Sequence, residues 1–385
     1  MSRKQFILLL VLVVVVGAAG LVIRQRNNQS WQSAATTIGQ KLLPKLAVND
    51  IAQITILSGT NLLNLAKRDN FWRVRERGDY PANFSQISDL LLKLADLKVV
   101  QSEEVGPSQL GRFELLPPGA GKDSGTLVQF KDESGKTLDT LLLGKTHMKQ
   151  PAANSQAGGM GGEGWPDGRY VMAGTGAKTV DVIFDPLDNV QPQPAQWLNK
   201  EFLSIEKPRS IEAQFPEATN SWKLERASET NDWQLADAKP DEKLDSSKIS
   251  NVTSPFSSPS FNDVAPLKSG GATNDTVLTV ETSDGFNYVA RIGPKQDENY
   301  PVSFTIAANL PAERTAARDE KPADKAKLDQ EFKDQQAKLA EKLAKEKQFE
   351  NWTYYLPAYS VDEILKPRDQ LLAEAKTNAV AQPEK

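Results

Sequence analysis

The sequence predicts an α+β protein in which a single N-terminal transmembrane helix is followed by two tandem, similar β-rich α+β units, the second with an inserted charged helix. Three observations predict it. An apolar run extends from Phe6 to Ile23; short strand patterns with tryptophans and turn residues occur twice in one order; and a charged stretch interrupts the second series. The expected organisation is an anchor with flanks at 1–26, a linker at 27–46, a first unit at 47–203, a second at 204–372 and a disordered polar tail at 373–385.

The anchor comes first. Eighteen residues from Phe6 to Ile23 rise roughly 27 Å as a helix, close to the hydrocarbon thickness of a bilayer. Phe6, Leu10, Val14 and Ile23 mark the span. A cleavable signal peptide is the competing reading, because Gly17, Ala18, Ala19 and Gly20 supply small residues. Yet apolar sequence continues through Leu21, Val22 and Ile23, past the roughly 7 to 15 residues of a secretory apolar region, so retention is expected. Arg3, Lys4 and the amino terminus oppose Arg24 and Arg26, which sets the N terminus inside. The bulk is then expected outside the cytoplasm, tethered by one pass to a bacterial inner membrane.

Composition narrows the partners. Residues 1–26 carry four basic and no acidic side chains, so in a chain of net charge −4 the remainder carries −8. Such a surface repels phosphate backbones and argues against nucleic acid. With no cysteine there is no disulfide framework, lipoprotein anchor, thiol nucleophile or thiolate metal site. No cofactor is expected, and the expected partners are the lipid bilayer and an unidentified membrane or envelope protein.

The first unit starts with Ile51, Ile54 and Ile56, then Leu65, Lys67 and Arg68, then Phe71-Trp72-Arg73-Val74. The second starts with Ile211 and Phe215, then Trp222, Leu224 and Arg226, then Asp232-Trp233-Gln234-Leu235. Each reads as short strands around a core tryptophan. Fifteen residues beyond Trp72, Ile87 opens a helical face continued by Leu90, Leu91, Leu94 and Leu97. Sixteen residues beyond Trp233, Ile249 opens its counterpart, pairing Leu90 with Val252, Leu94 with Phe256 and Val99 with Phe261. Pro255 and Pro259 predict a poorer helix there, broken after about two turns.

Hairpins follow in both units, turning around Ser134-Gly135 and Asp284-Gly285. Leu138 to Gly144 then corresponds to Tyr288 to Gly293, and Arg169-Tyr170-Val171-Met172 to Tyr300-Pro301-Val302-Ser303-Phe304. Trp352-Thr353-Tyr354-Tyr355-Leu356 resembles Val180 to Phe184, and Arg368-Asp369-Gln370-Leu371-Leu372 resembles Asn199-Lys200-Glu201-Phe202-Leu203. The matched spacing predicts a duplication. What differs is inserted: a Gly-rich loop at 150–168 in the first unit and a helical segment at 314–348 in the second. Asp329 with Lys333, Asp334 with Lys338 and Glu341 with Lys345 are acid-before-base pairs, each worth about 0.2 to 0.5 kcal/mol. Leu328, Phe332, Leu339 and Leu343 form its apolar stripe, a possible partner face whose plainer reading is a spacer lying on its own domain.

An N-terminal anchor, the Ile51 to Ile56 strand, a strand leading to Trp72, a Leu-rich helix, and Leu141-Leu142-Leu143-Gly144-Lys145 before Arg169-Tyr170-Val171-Met172 together resemble the bacterial domain-of-unknown-function family 4340. The resemblance covers Ala47 to Leu203 best and Ile205 to Leu372 more weakly. Some relatives are described as auxiliary components near ABC-type transport systems linked to gliding motility, and the resemblance implies that kind of role. The proline-broken second helix and the charged insertion depart from its pattern.

Chemistry-bearing motifs are few. His147, the one histidine, is read as a solvated loop residue. Gly144-Lys145-Thr146 ends like a P-loop, but that motif needs glycine where Asp139 stands. Asp181, Asp185 and Asp188 could pair as acid and base or bind a hard cation; solvated turn residues around Pro186 explain them better. Trp165 is expected to be exposed, and Trp72, Trp197, Trp222, Trp233 and Trp352 to be core. The leading expectation is a non-enzymatic extracytoplasmic protein acting through protein contacts. A ligand-binding or sensing ectodomain is the alternative, and a carboxylate-dependent hydrolase the third.

Overall fold

The structure is a computed structural model that describes residues 38–149, 165–174, 178–240, 242–267, 274–316, 320–321 and 324–374. The chain divides into two compact units, Met1–Asn199 and Lys200–Lys385. Both are β-rich α+β, and each is built on one antiparallel sheet.

In the first unit the strands are β1 (Gln53–Ser58), β2 (Asn61–Arg68), β3 (Phe71–Val74), β4 (Tyr80–Pro81), β5 (Val99–Glu104), β6 (Thr126–Lys131), β7 (Thr137–Lys149), β8 (Trp165–Ala173) and β9 (Thr179–Ile183). Their order across the sheet is β4-β3-β2-β1-β6-β7-β8-β9-β5. Ile54 lies opposite Leu65 and Phe130, and Ile56 opposite Leu63 and Val128. All six are buried, the period-2 pattern of a sheet with one face in the core. Asp69 and Asn70 join β2 to β3 with φ of 50° and 65°, the two positive values that a tight hairpin turn requires.

The helix Phe84–Asp96 contributes Ile87, Leu90, Leu91 and Leu94 to the same core, each worth about 1.5 to 3 kcal/mol when fully buried. Asn83 starts it by accepting from the Gln86 amide at 3.1 Å. Leu97 falls just beyond its end, on extended backbone.

The second unit contains β10 (Pro208–Gln214), β11 (Trp222–Glu225), β12 (Gln234–Leu235), β13 (Asp263–Pro266), β14 (Thr276–Thr282), β15 (Phe286–Ile292), β16 (Asn299–Ala308) and β17 (Trp352–Pro357). Its order is β12-β11-β10-β14-β15-β16-β17-β13, the order of the first sheet without β4. Registers agree as well. Ile211 faces Leu224 and Val280 as Ile54 faces Leu65 and Phe130. Glycines turn the hairpins at Gly135 (φ 83°) and Gly285 (φ 92°). The helix Lys325–Glu346 lies between β16 and β17.

Several sequence expectations need correction. The stretch beginning at Ile249 forms turns and no regular helix; Thr253 N reaches Ile249 O at 2.9 Å, but Pro255 and Pro259 lack the donors to continue. Ile249, Val252, Phe256 and Phe261 are nonetheless buried, like the residues they were matched with. The closing segments align five residues away from the expected match. Asn83 N and Asn199 N bond to Trp197 O and Pro81 O, and Asp245 N and Ala373 N bond to Leu371 O and Lys243 O. Trp197 therefore corresponds to Leu371.

The tryptophans also divide differently. Trp197 and Trp222 are buried, and Trp72 is 5% exposed, whereas Trp233 and Trp352 are half-buried. Trp72 lies opposite Lys67, whose ammonium sits 5.3 Å from its ring. Arg226 sits 4.7 Å from the Trp233 ring. The two positions correspond, but β12 has two residues where β3 has four, which leaves Trp233 just outside its strand.

Candidate functional site

The anchor residues Phe6, Leu10, Val14 and Ile23 lie outside the described residues, as does most of the Gly-rich loop. Among the described residues no helix is long and apolar enough to cross a membrane.

The stripe residues Leu328, Phe332, Leu339 and Leu343 are brought together on one face of the Lys325–Glu346 helix, and all four are half-buried. The expected pairs give way to longer-range ones at two positions. Asp329 pairs with Arg314 at 2.8 Å and Lys345 with Glu201 at 2.5 Å. At the C-terminal end Glu346 is 5% exposed and accepts the Tyr288 hydroxyl at 2.7 Å. An acidic group is electrostatically misplaced at a helix C terminus, and burial pushes its carboxyl above the usual range. Lys342, 3.9 Å away and lying over the Phe286 ring, offsets part of that cost. Nothing in a one-dimensional pattern marks Glu346, because its partner lies 58 residues away.

His147 lies in β7 opposite Gly168, and so is a strand residue and not a loop residue. Its Nδ1 is 2.5 Å from Asp167 Oδ1, and its ring meets Tyr170 edge-on at 5.2 Å. Lys145 lies 5.7 Å from both the Phe113 and Tyr170 rings. Burial, with Glu103 and Asp167 nearby, raises the Tyr170 phenol and keeps it neutral. The pair fixes the imidazole at the rim of a packed cluster containing Val105, Leu115 and Val180.

Asp181, Asp185 and Asp188 do not converge. Asp181 is buried in β9 and accepts the Ser102 hydroxyl at 2.6 Å, with burial raising its carboxyl. It is not a solvated turn residue. Asp185 caps the Leu187 amide at 2.8 Å and pairs with Lys93 at 2.8 Å. No group of three or more histidine or acidic residues able to hold a metal occurs among the described residues.

The most conspicuous sequence motif is spent on architecture. Arg169 donates from Nε to Gly144 O at 2.8 Å and from a terminal nitrogen to Pro186 O at 2.9 Å. A side chain at Gly144 would collide with the Phe113 carbonyl, and one at Gly168 with the Ile183 carbonyl. A polar cavity of about 540 Å³ opens beside Gln53, Asn64, Arg75 and Glu76. Glu76 accepts from the Asn64 amide side chain at 2.8 Å and Arg75 faces Asp79 at 3.4 Å, so its polar groups largely satisfy one another.

Most of the Trp72 strand, the Leu-rich helix and the β6–β7 hairpin lie in a stretch that one family model matches. Residues 72–153 match Domain of unknown function (DUF4340). The match bears out the resemblance read from the sequence over that stretch. Within the matched stretch, Ile87, Leu90, Leu94 and Gly144 serve packing and close backbone approach. No curated protein and no solved structure matches the chain.

Proposed function

We propose that the protein is a membrane-tethered, extracytoplasmic module that works through protein contacts and carries out no reaction of its own. One observation carries this reading: the two sheets share a strand order, and the second is extended between β16 and β17 by a 22-residue charged helix. A repeated frame whose motif residues maintain packing, with one copy elaborated at its surface, suits a role in assembly. The apolar run from Phe6 to Ile23 supports the tether, and the flanking charges support placement of the bulk outside the cytoplasm. The family resemblance extends the proposal to an auxiliary role beside an ABC-type transport or motility system.

The test uses the full chain in its own membranes, with a photoactivatable side chain at exposed Lys333. Spheroplasts should allow external protease to digest the bulk, and the chain should sediment with membranes. Irradiation should yield a crosslinked envelope protein. Protection from protease, release into the soluble fraction, or crosslinks confined to the chain itself would each contradict the proposal.

A further inference from the structure

We propose that a pocket in the second unit binds a neutral pyranose ring, a hexose in free form or as a unit of a glycan. The pocket has a volume of about 340 Å³ and lies between the segment 250–259 and the short helix Ala358–Asp362 with the turn after it. That volume falls within the usual range for small-molecule sites, roughly 300 to 1,000 Å³.

Its location coincides with a departure between the two copies. In the first unit the corresponding stretch is the regular helix Phe84–Asp96. In the second, Pro255 and Pro259 prevent that helix, and Phe256 takes a left-handed backbone with φ 53° while its side chain stays buried where Leu94 is. The core contact is kept, and the helix is exchanged for a concave, hydroxyl-rich wall. Left-handed backbone at a bulky residue is uncommon and concentrates at functional positions.

The lining has the chemistry of sugar recognition. Tyr359 is 75% exposed at the pocket, an aromatic face available to stack on the C–H face of a pyranose. The hydroxyls of Ser250, Ser254, Ser257 and Ser258 donate to no protein acceptor among the described residues and are left for a ligand or water. Asn251 donates to Glu363 at 3.1 Å, setting an amide beside a carboxylate that together can donate to and accept from adjacent ring hydroxyls. Lys366, 2.8 Å from Glu363, and Asn251 hold that carboxyl below its usual range, so it is ionised at neutral pH. Lys366 already meets the Glu363 charge, so the pair offers no unpaired charge to a cationic or an anionic guest, and an uncharged polyol fits the lining best.

The test is saturation-transfer NMR on the full chain in a detergent without a sugar headgroup. The probes are methyl glucoside, methyl mannoside, methyl galactoside and N-acetylglucosamine, with glucuronate as the anionic control. At least one neutral probe should bind saturably, with the strongest transfer to one face of its ring, and glucuronate should not. Tyr359→Ala should weaken binding by about tenfold or more, whereas Tyr359→Trp should retain it, both with the unfolding temperature unchanged. Tighter binding of a trisaccharide than of its single unit would identify a glycan chain as the source; equal binding would identify a free sugar. Absence of saturable binding by every neutral probe up to roughly 50 mM, or unaltered binding by Tyr359→Ala, would overturn the proposal.

Discussion

Tyr288 in β15 donates its hydroxyl to Glu346 at 2.7 Å and fastens the end of the charged helix to the sheet of its own unit. The bond occurs in a buried setting, so the carboxyl ionises at a cost. Burial raises the folded value above the ordinary glutamate value of 4.5. The sign follows: this contribution to stability is complete below about pH 4.5 and is lost as pH rises through the folded value. Glu346→Gln keeps an acceptor for Tyr288 and removes the titration. Denaturation from pH 4 to 8 should therefore show the variant gaining on the wild type as pH rises; a difference independent of pH would refute the assignment. Tyr288→Phe should cost about 1.5 to 3 kcal/mol and accelerate amide exchange in the last turns of the helix.

The tryptophans at corresponding positions should behave unequally. Trp72→Ala empties a nearly closed site and should cost about 3 to 5 kcal/mol. Trp233→Ala mainly removes a half-exposed ring beneath Arg226, so about 1 kcal/mol is expected. Equal losses in chemical denaturation would mean that the extra burial of Trp72 contributes nothing.

Gly168→Ala tests whether the Arg169 segment is architectural. The added methyl would collide with the Ile183 carbonyl, and rigid backbone has to move to admit it. A loss of about 3 kcal/mol is expected, with faster amide exchange across β8 and β9. Gly135→Ala meets no atom within 4 Å but carries φ 83°, so it should cost only about 1 kcal/mol from strain. If Gly168→Ala were no worse than Gly135→Ala, close approach would not be the reason for glycine at 168.

The strands were legible because their apolar residues alternate, and the hairpins because Ser134-Gly135 and Asp284-Gly285 are strong turn signals. The helix at 84–96 was legible from the spacing of Ile87, Leu90, Leu91 and Leu94. Burial of Trp233 was not, since it depends on how far β12 extends. The closing segments misled because Asn199 to Leu203 and Arg368 to Leu372 are alike in their letters, while backbone bonds from Asn83 and Asp245 set the true register. Candidate chemistry was the least legible. The buried Asp181–Ser102 pair joins residues 79 apart, and the Tyr359 pocket joins segments about 100 residues apart. Neither leaves a mark within one window of sequence.

The last prediction concerns the stripe on the charged helix, which is half-covered along its length and is held by Arg314 near its start and by contacts to the rest of the unit near its C-terminal end. Lys342, Lys345 and Glu346 each make specific contacts within the unit, and Leu328 and Phe332 lie about three to five turns before them. If the stripe only covers its own unit, Phe332→Asp should lower the unfolding temperature and leave envelope-protein crosslinks at Lys333 intact. If it docks on a partner, the same change should abolish those crosslinks with unfolding nearly unaltered, because an unpaired charge buried at an interface costs about 3 to 5 kcal/mol. Deleting residues 314–348 and joining the flanks with a short Gly-Ser turn gives a second measure. It should cost the Tyr288–Glu346 bond in either case. Partner crosslinking to the remaining sheet, probed from exposed Leu267, should persist only if the helix is a spacer. Loss of that crosslink together with the Phe332→Asp result would make this helix the working surface of the protein.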